Sequence, residues 1–333
     1  MELTRRRLLT TAAATGTAAL AGCTGGDGEA TVSGTTTSQA SFFVFGDVAT
    51  HVASDAADAD LLVPVGQHGH GWEPGPRVRE EINDADLFVH GMPGFQPWVD
   101  DMLADLDADG ADVAAVDASR TVDLIPAGGH DGHDGTEDGH GGHDETEDGH
   151  DEHDHEGADP HFWMDPTRMR DAVDAVESAF AEVDPENEDA YAENAGEFRE
   201  ELQSLDDRLA EIVDAGSVDT LLVAGHDSFQ YLAARYGVHV ESLTGLSPDD
   251  RPTQRDIARA QEVIDEHDLR YVCADPLESQ QAAEQLVAET DAEAVLPLTA
   301  MPGLTDEWAE NDWGYVDVMA EVNLPTLERG LGA

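Results

Sequence analysis

Three isolated histidines occupy positions where imidazole groups could bind a metal ion or transfer a proton. His70 follows the strand-like run LLVPVG, His226 follows the run LLVAG, and His161 lies between two Asp-Pro steps in DPHFWMDP. Ligand sites of parallel α/β domains form at the carboxyl ends of strands, so His70 and His226 lie in suitable places by local pattern alone. A lone histidine there is more often structural, so position alone leaves both interpretations open.

An acidic tract from Gly128 to Gly157 contains seven further histidines, six of which form a His-x-x-His pair that recurs every ten residues. Its few apolar residues cannot form a core, so we expect it to be disordered without metal. The alternative is a strongly solvated acidic loop, but acidity does not explain the histidines. We therefore predict weak auxiliary metal binding at His130, His133, His140, His143, His150, His153 and His155. Ordering a flexible segment costs chain entropy, so these sites should be weaker than a preformed cleft.

Four other histidines are predicted to have no ligand role. His90 ends a strand-like run and should be packed there, and His239 and His267 should lie on the surface between helices and strands. His51 belongs to the same group.

Strand-like and helix-like segments alternate from Phe42 onward, which predicts βαβ units and a mainly parallel sheet. FFVF, LLVPVG and VAAVDAS are predicted strands, and VREEINDADLFVHG predicts a helix that leads into a strand at 87–90. Beyond the acidic tract, DPTRMRDAVDAVESAFAEVDP predicts a helix with Asp165 as the N-cap before Pro166.

The segment 187–215 has apolar residues at helical spacing, which predicts one long helix spanning roughly 42 Å. Strand and helix segments alternate again after Gly216. The predicted fold is α/β, with two Rossmann-like parallel-sheet lobes at 42–186 and 216–333 joined by this linking helix. Two of the three isolated histidines precede the helix and one follows it, so a shared site would lie in the cleft between the lobes.

The N-terminus resembles an export signal. Three arginines from Arg5 to Arg7 precede a short apolar run that ends in LAGC, which predicts a twin-arginine-type lipoprotein signal over residues 1–22. Cys23 would carry the lipid, and residues 23–41 would form a flexible tether. Ordinary cleavage nearby, with Cys23 left free, is the alternative.

The chain is strongly acidic, with 73 acidic and 16 basic residues, all of them arginine, and a formal net charge of −57. Molar salt shortens the Debye length to about 3 Å and screens the resulting repulsion, so we expect a haloarchaeal source. The charge argues against nucleic acid and anionic membrane surfaces as partners. Cys273, in the apolar run YVCADP, is predicted to be a buried, inert thiol.

Several motifs resemble the cluster A-I metal-binding proteins of ABC importers, most of all the ZnuA-like zinc receptors. The resemblance is carried by GQHGHGWEPGPRVREEINDADLFVHG, DPHFWMDP, GHDSFQYLAARYGV and ADPLESQQAAEQLVAET, in order and at similar spacing from about Phe42 to Leu331. Members of this family also have an acidic, His-rich loop in the same interval.

The resemblance implies that His70, His161 and His226 are metal ligands. A histidine at the third position implies Zn²⁺, because relatives selective for manganese have Glu there and Mn²⁺ favours oxygen donors. Leu296 stands where a fourth carboxylate ligand would be, so the fourth ligand is water, with His68 as the alternative. Asp165 and Asp227 are candidates for carboxylates that orient the imidazoles.

The function implied by the resemblance is that of a monomeric, extracytoplasmic zinc receptor, anchored to the outer face of the membrane by lipid on Cys23. It would deliver zinc to an ABC permease and its ATPase without catalysing a reaction. The alternatives are a receptor for Mn²⁺ or another divalent metal, a zinc hydrolase, and a metal buffer whose function is the acidic tract alone. No HExxH arrangement is present to supply the general base of a hydrolase.

Overall fold

The computed structural model describes residues 35–127, 157–248 and 250–333. The predicted signal, the lipidation residue Cys23 and the seven histidines of the acidic tract lie outside these ranges. Within the described ranges, no helix has the length and hydrophobicity needed to cross a membrane.

Four parallel strands form the sheet of the N-terminal lobe, in the order β2-β1-β3-β4. The strands are β1 (Thr36–Ala40), β2 (Ala57–Leu61), β3 (Leu87–His90) and β4 (Ala114–Asp117). Between them lie α1 (Phe43–Ala53), α2 (Pro76–Asn83) and α3 (Pro97–Asp109). The predicted α/β class with parallel pairing is confirmed.

Three local predictions in this lobe are wrong. The run FFVF begins helix α1 rather than forming a strand, and β1 lies inside the segment 23–41 that was predicted to be a tether. Nearly every residue of α1 is buried, and a helix buried on all sides gives the same continuous apolar run as a buried strand. The run LLVPVG does not form the predicted strand either, because β2 ends at Leu61, the first residue of that run.

Helix α4 (Pro166–Val183) begins as predicted, because the Asp165 side chain accepts a hydrogen bond from the Thr167 backbone N–H at 2.9 Å. A short 3₁₀ turn at Pro185–Asn187 then leads into the linking helix α5 (Glu188–Ala215). The buried face of α5 carries apolar side chains at helical spacing: Tyr191, Ala195, Phe198, Leu202, Leu205, Leu209 and Ile212. These residues pack into one core cluster that continues from the N-terminal sheet to the end of the chain.

The C-terminal lobe repeats the topology of the first, with four parallel strands in the order β6-β5-β7-β8. The strands are β5 (Thr220–Val223), β6 (His239–Ser242), β7 (Tyr271–Ala274) and β8 (Ala294–Pro297). The helices of this lobe are α6 (Gln230–Tyr236), α7 (Gln254–His267), α8 (Gln281–Glu289) and α9 (Asp306–Glu310). Strand β6 was not predicted, because it is a short edge strand with no continuous apolar run.

The chain ends in a helical segment that has an irregular centre. Helix α10 (Tyr315–Val318) passes through a π turn at Met319–Asn323 into α11 (Leu324–Leu331). Pro325 lacks a backbone N–H and cannot continue regular helical bonding, which accounts for the turn. Asn323 on the π turn binds both backbone groups of Thr299 and thereby fixes the segment that follows β8.

Candidate metal centre

The structure brings His70, His161 and His226 together between the lobes. One nitrogen of each ring lies within 4.8 Å of the corresponding nitrogens of the other two, and the Nε2 atoms of His161 and His226 are 3.3 Å apart. Zinc–nitrogen bonds of about 2.0–2.1 Å in a tetrahedron separate the ligand atoms by about 3.3 Å. The three imidazoles therefore have the spacing of a metal centre, with two donors from the N-terminal lobe and one from the C-terminal lobe.

The loop after β2 carries His70 and is fixed by both lobes. The Gly69 N–H donates to the Pro302 carbonyl at 2.6 Å, and the side chain of Gln96 donates to the Gly69 carbonyl at 3.0 Å. A Cβ atom at Gly69 would lie 2.6 Å from the Phe42 ring, so only glycine fits this approach. The His70 ring packs against Phe42 and Phe95, with ring centroids 5.4 and 4.5 Å away.

Burial lowers the pKa of His70 well below its usual value, and the nearby rings of His161, His68 and His226 lower it further. The imidazole is therefore neutral at neutral pH, which is the form that binds metal.

His161 is fully buried, and Asp159 orients it. The Asp159 carboxylate lies 2.8 Å from His161 Nδ1 and also accepts the His161 backbone N–H. Burial lowers the pKa of His161, against the opposing effect of Asp159. The Tyr231 hydroxyl on α6 donates to the Asp159 carbonyl at 2.7 Å, so the C-terminal lobe also supports this segment.

His226 follows β5 directly, and its orienting carboxylate comes from a different loop of the same lobe. Glu278, four residues beyond the end of β7, places Oε1 2.8 Å from His226 Nδ1. Burial acts to raise the pKa of Glu278, but His226 and His68 outweigh it and lower the pKa to about 2. Because Nδ1–H donates to this carboxylate, Nε2 is left to face the cleft.

Sequence reasoning missed Glu278 and Asp159. The signal for Asp159 was available, because the residue stands two positions before His161 in DPHFWMDP. Glu278 stands in the motif ADPLESQQAAEQLVAET, but nothing in that motif pairs it with His226, which lies 52 residues away and is brought near it by the pairing of β5 with β7.

The two acidic residues proposed from sequence as orienting carboxylates have other partners. Asp165 caps α4 and lies 3.3 Å from Arg168 Nε, so its assignment as an orienting carboxylate is corrected to helix capping. Asp227 accepts hydrogen bonds from Gln230, at 2.8 and 2.6 Å. The negative charge of Asp227 acts to raise the pKa of His161, so Asp227 affects the histidine group electrostatically.

Two residues bear on the identity of a fourth metal ligand, Leu296 and His68. Leu296 is buried in β8 and offers no donor atom. The His68 ring centroid is 5.3 Å from that of His70, but His68 does not belong to the mutually close group of ligand atoms found among the described residues.

The histidines predicted to have no ligand role lie away from this group. His51 stacks on Phe198 with ring centroids 4.0 Å apart, and His90 is buried with Nδ1 2.7 Å from the Gly91 carbonyl. His239 and His267 are exposed. Cys273 is buried on β7, and burial raises its pKa to about 12, as expected for an inert thiol.

The fold and the histidine group define a two-lobed α/β protein with three clustered imidazoles in its cleft. Residues 39–330 match the model of the family described as "Zinc-uptake complex component A periplasmic", and the chain belongs to this family.

Curated relatives include the high-affinity zinc uptake system protein ZnuA of Bacillus subtilis. It is 30% identical over 290 residues, which cover 87% of this chain and 86% of the relative. The zinc-binding lipoprotein AdcA of Streptococcus pneumoniae is 29% identical over 86% of this chain, but the match covers only 54% of AdcA.

Solved structures agree with this assignment. The Zn(II)-bound ZnuA-like domain of Streptococcus pneumoniae AdcA has a TM-score of 0.71 at 26% identity, covering 90% of this chain and 100% of that domain. The metal-dependent lipoprotein YcdH of Bacillus subtilis has a TM-score of 0.70 at 27% identity, covering 89% of this chain and 99% of the other.

Proposed function

We propose that this protein is an extracytoplasmic receptor that binds Zn²⁺ between its lobes and delivers it to an ABC permease with its ATPase. The observation that carries the proposal is the convergence of the three imidazoles, with Nε2 of His161 and of His226 directed at one another. Family membership supports uptake as the context, and it supports a receptor rather than an enzyme.

Zinc is favoured over manganese by the chemistry of the donors. The group consists of three nitrogen donors, and its nearest carboxylates, Asp159 and Glu278, are engaged with Nδ1 atoms on the far sides of the rings. Imidazole suits Zn²⁺, whereas Mn²⁺ is bound best by carboxylates, carbonyls and water. A water molecule would complete a tetrahedral site.

Competitive zinc titration at molar salt tests the proposal. Removing a residue that only orients a ligand typically costs about 10–100-fold in metal affinity, so His161→Ala should cost more than about 100-fold. His239→Ala serves as the matched control, because it removes an exposed histidine of the same lobe as His226. Tight binding that survives the loss of His161 would contradict the assignment.

The acidic tract is assigned an auxiliary role as a zinc collector. Deleting residues 128–157 should remove several weak sites and retain one tight site, and Pro126 and Ala158, which form a β-bridge, lie close enough for the chain to be rejoined across the deletion. Loss of the tight site would make the tract the primary binding element.

Membrane attachment is assigned to lipid on Cys23. The LAGC sequence supports it, and one of the curated relatives is itself a lipoprotein. Cys23→Ser should release the protein from the membrane fraction into the medium, measured by fractionation of cells. Retention of the variant on the membrane would count against lipidation.

A further inference from the structure

Beside the three-histidine centre, His68 and Glu278 face one another across the cleft. His68 comes from the N-terminal lobe and Glu278 from the C-terminal lobe, with His68 Nε2 3.6 Å from Glu278 Oε1. That separation is too long for a hydrogen bond. His68 Nε2 is shielded from solvent and has no hydrogen-bond partner among the described residues. A shielded polar atom of this kind requires a partner that the described residues do not supply.

The separation suits two donors to one zinc ion. Bonds of about 2.0–2.2 Å at tetrahedral angles place a nitrogen and an oxygen ligand about 3.3–3.5 Å apart, close to the 3.6 Å observed. Contraction by a few tenths of an ångström would suffice. A neutral imidazole and a carboxylate are both good zinc ligands, and water would fill the remaining positions.

The Glu278 carboxylate is oriented by His226, because its Oε1 atom is 2.8 Å from His226 Nδ1. Its Oε2 atom occupies space left free by Gly225, where a Cβ atom would lie only 2.7 Å from Oε2. This orientation directs the carboxylate at the far side of the His226 ring from Nε2, so Glu278 does not share the central ion. The two metal positions would be adjacent, with the His226 ring between them.

A cavity of about 690 Å³ leads to the same carboxylate from the C-terminal lobe. Its lining includes Gly225, His226 and Glu278, together with residues of the loop that precedes α7. His161, in contrast, is fully buried. An ion in this cavity therefore has access to the Glu278 carboxylate and to the His226 ring, whereas His161 lies deeper.

We propose that His68 and Glu278 form a second, weaker Zn²⁺ position through which the three-histidine centre is loaded and unloaded. The inference rests on the proposed zinc-receptor function. With two protein ligands this position binds more weakly than the centre and exchanges faster. Transfer is a ligand exchange in which the ion leaves His68 and Glu278, gains one ring nitrogen from each of His70, His161 and His226, and releases bound water.

Anomalous diffraction at the zinc edge, on crystals of the full chain, tests this inference. With one equivalent of zinc, a single peak is expected among His70, His161 and His226. With excess zinc, a second peak is expected between His68 Nε2 and Glu278 Oε1. A missing first peak would overturn the proposed function, whereas a first peak without the second at excess zinc would overturn this inference alone.

Rapid-mixing kinetics of zinc binding provides the second measurement. His68→Ala should lower both the association and the dissociation rate of the central ion by about tenfold, because both directions use the same position. The equilibrium affinity should change much less than either rate. His68→Gln, of similar size, guards against a folding defect, and the exposed histidine variant His239→Ala is the matched control.

Unchanged rates in both His68 variants would overturn the loading role. A loss of affinity with an unchanged association rate would also overturn it, because His68 would then be a ligand of the central ion. Near-ultraviolet circular dichroism of each variant establishes that the fold is retained.

Discussion

The two lobes have the same sheet topology but supply the clustered histidines from different places. Their strand orders, β2-β1-β3-β4 and β6-β5-β7-β8, are equivalent. The N-terminal lobe supplies His70 after its edge strand β2 and His161 just before α4, whereas the C-terminal lobe supplies His226 after its inner strand β5. The repeated fold thus provides loops at the carboxyl ends of strands, and the sequence of each loop decides which of them carries a ligand.

The loop after β2 and the equivalent loop after β6 also differ in their surroundings. The loop after β2 is fixed across the cleft, because the Gly66 and Gly69 N–H groups donate to the Leu304 and Pro302 carbonyls at 2.7 and 2.6 Å. The loop after β6 instead lines a cavity that leads to Glu278. The loop that carries His70 is therefore held by both lobes, whereas the loop after β6 borders open space next to Glu278.

Replacing the orienting carboxylates should produce the largest difference between the lobes. Asp159→Asn should weaken zinc binding by about 100-fold and Glu278→Gln by about tenfold, because Asp159 is fully buried and also fixes the His161 backbone. Competitive titration measures both. Asp171→Asn, a part-buried acid of α4 outside the centre, is the control. Equal losses of zinc affinity in the two variants would contradict this difference between the lobes.

Removing a contact between the C-terminal lobe and the linking helix should have a smaller effect, which is on the stability of the fold. Asp206 on α5 accepts hydrogen bonds from Arg235 and from the Tyr236 hydroxyl, at 2.8 Å to Arg235 Nη2 and 2.8 Å to Tyr236. Asp206→Ala should lower the free energy of unfolding by about 2 kcal/mol, because hydrogen bonds to a charged group are lost. Urea denaturation measures this change. Asp207→Ala, exposed on the same helix, should have little effect, and an equal loss there would contradict the argument.

Acidification should act in opposite directions on the two lobes of the zinc-free protein. Burial lowers the pKa of His90 below its usual 6.5, so His90 contributes stability above pH 6.5 that is lost as the pH falls. Burial raises the pKa of Asp275 from 3.8 to about 6, so Asp275 contributes stability at low pH that is lost as the pH rises through 6.

Urea denaturation at pH 7.5 and at pH 5.5 measures this opposition. His90→Asn should reduce the loss of stability on acidification, and Asp275→Asn should increase it. The same pH response in both variants and in the parent would contradict the opposition between the lobes.

Long, strongly patterned elements could be predicted from sequence. The linking helix was predicted at 187–215 and lies at Glu188–Ala215, because its apolar residues recur at helical spacing over its whole length. Asp165 was correctly predicted as an N-cap from the adjacent proline. Short elements failed where local pattern was ambiguous: the buried helix at Phe43–Ala53 has the composition of a strand, and the polar strand Thr36–Ala40 has that of a tether.

The sequence by itself determined which imidazoles were candidates, because His70, His161 and His226 lie in recognisable motifs beside strands and Asp-Pro steps. Only the tertiary structure decided what holds and surrounds them. Glu278 meets His226 and His68 through contacts that span 52 and 210 positions of the chain. The physical reason is that a local pattern reports the backbone near a residue, whereas the partners of a side chain in a cleft are set by how the two lobes pack.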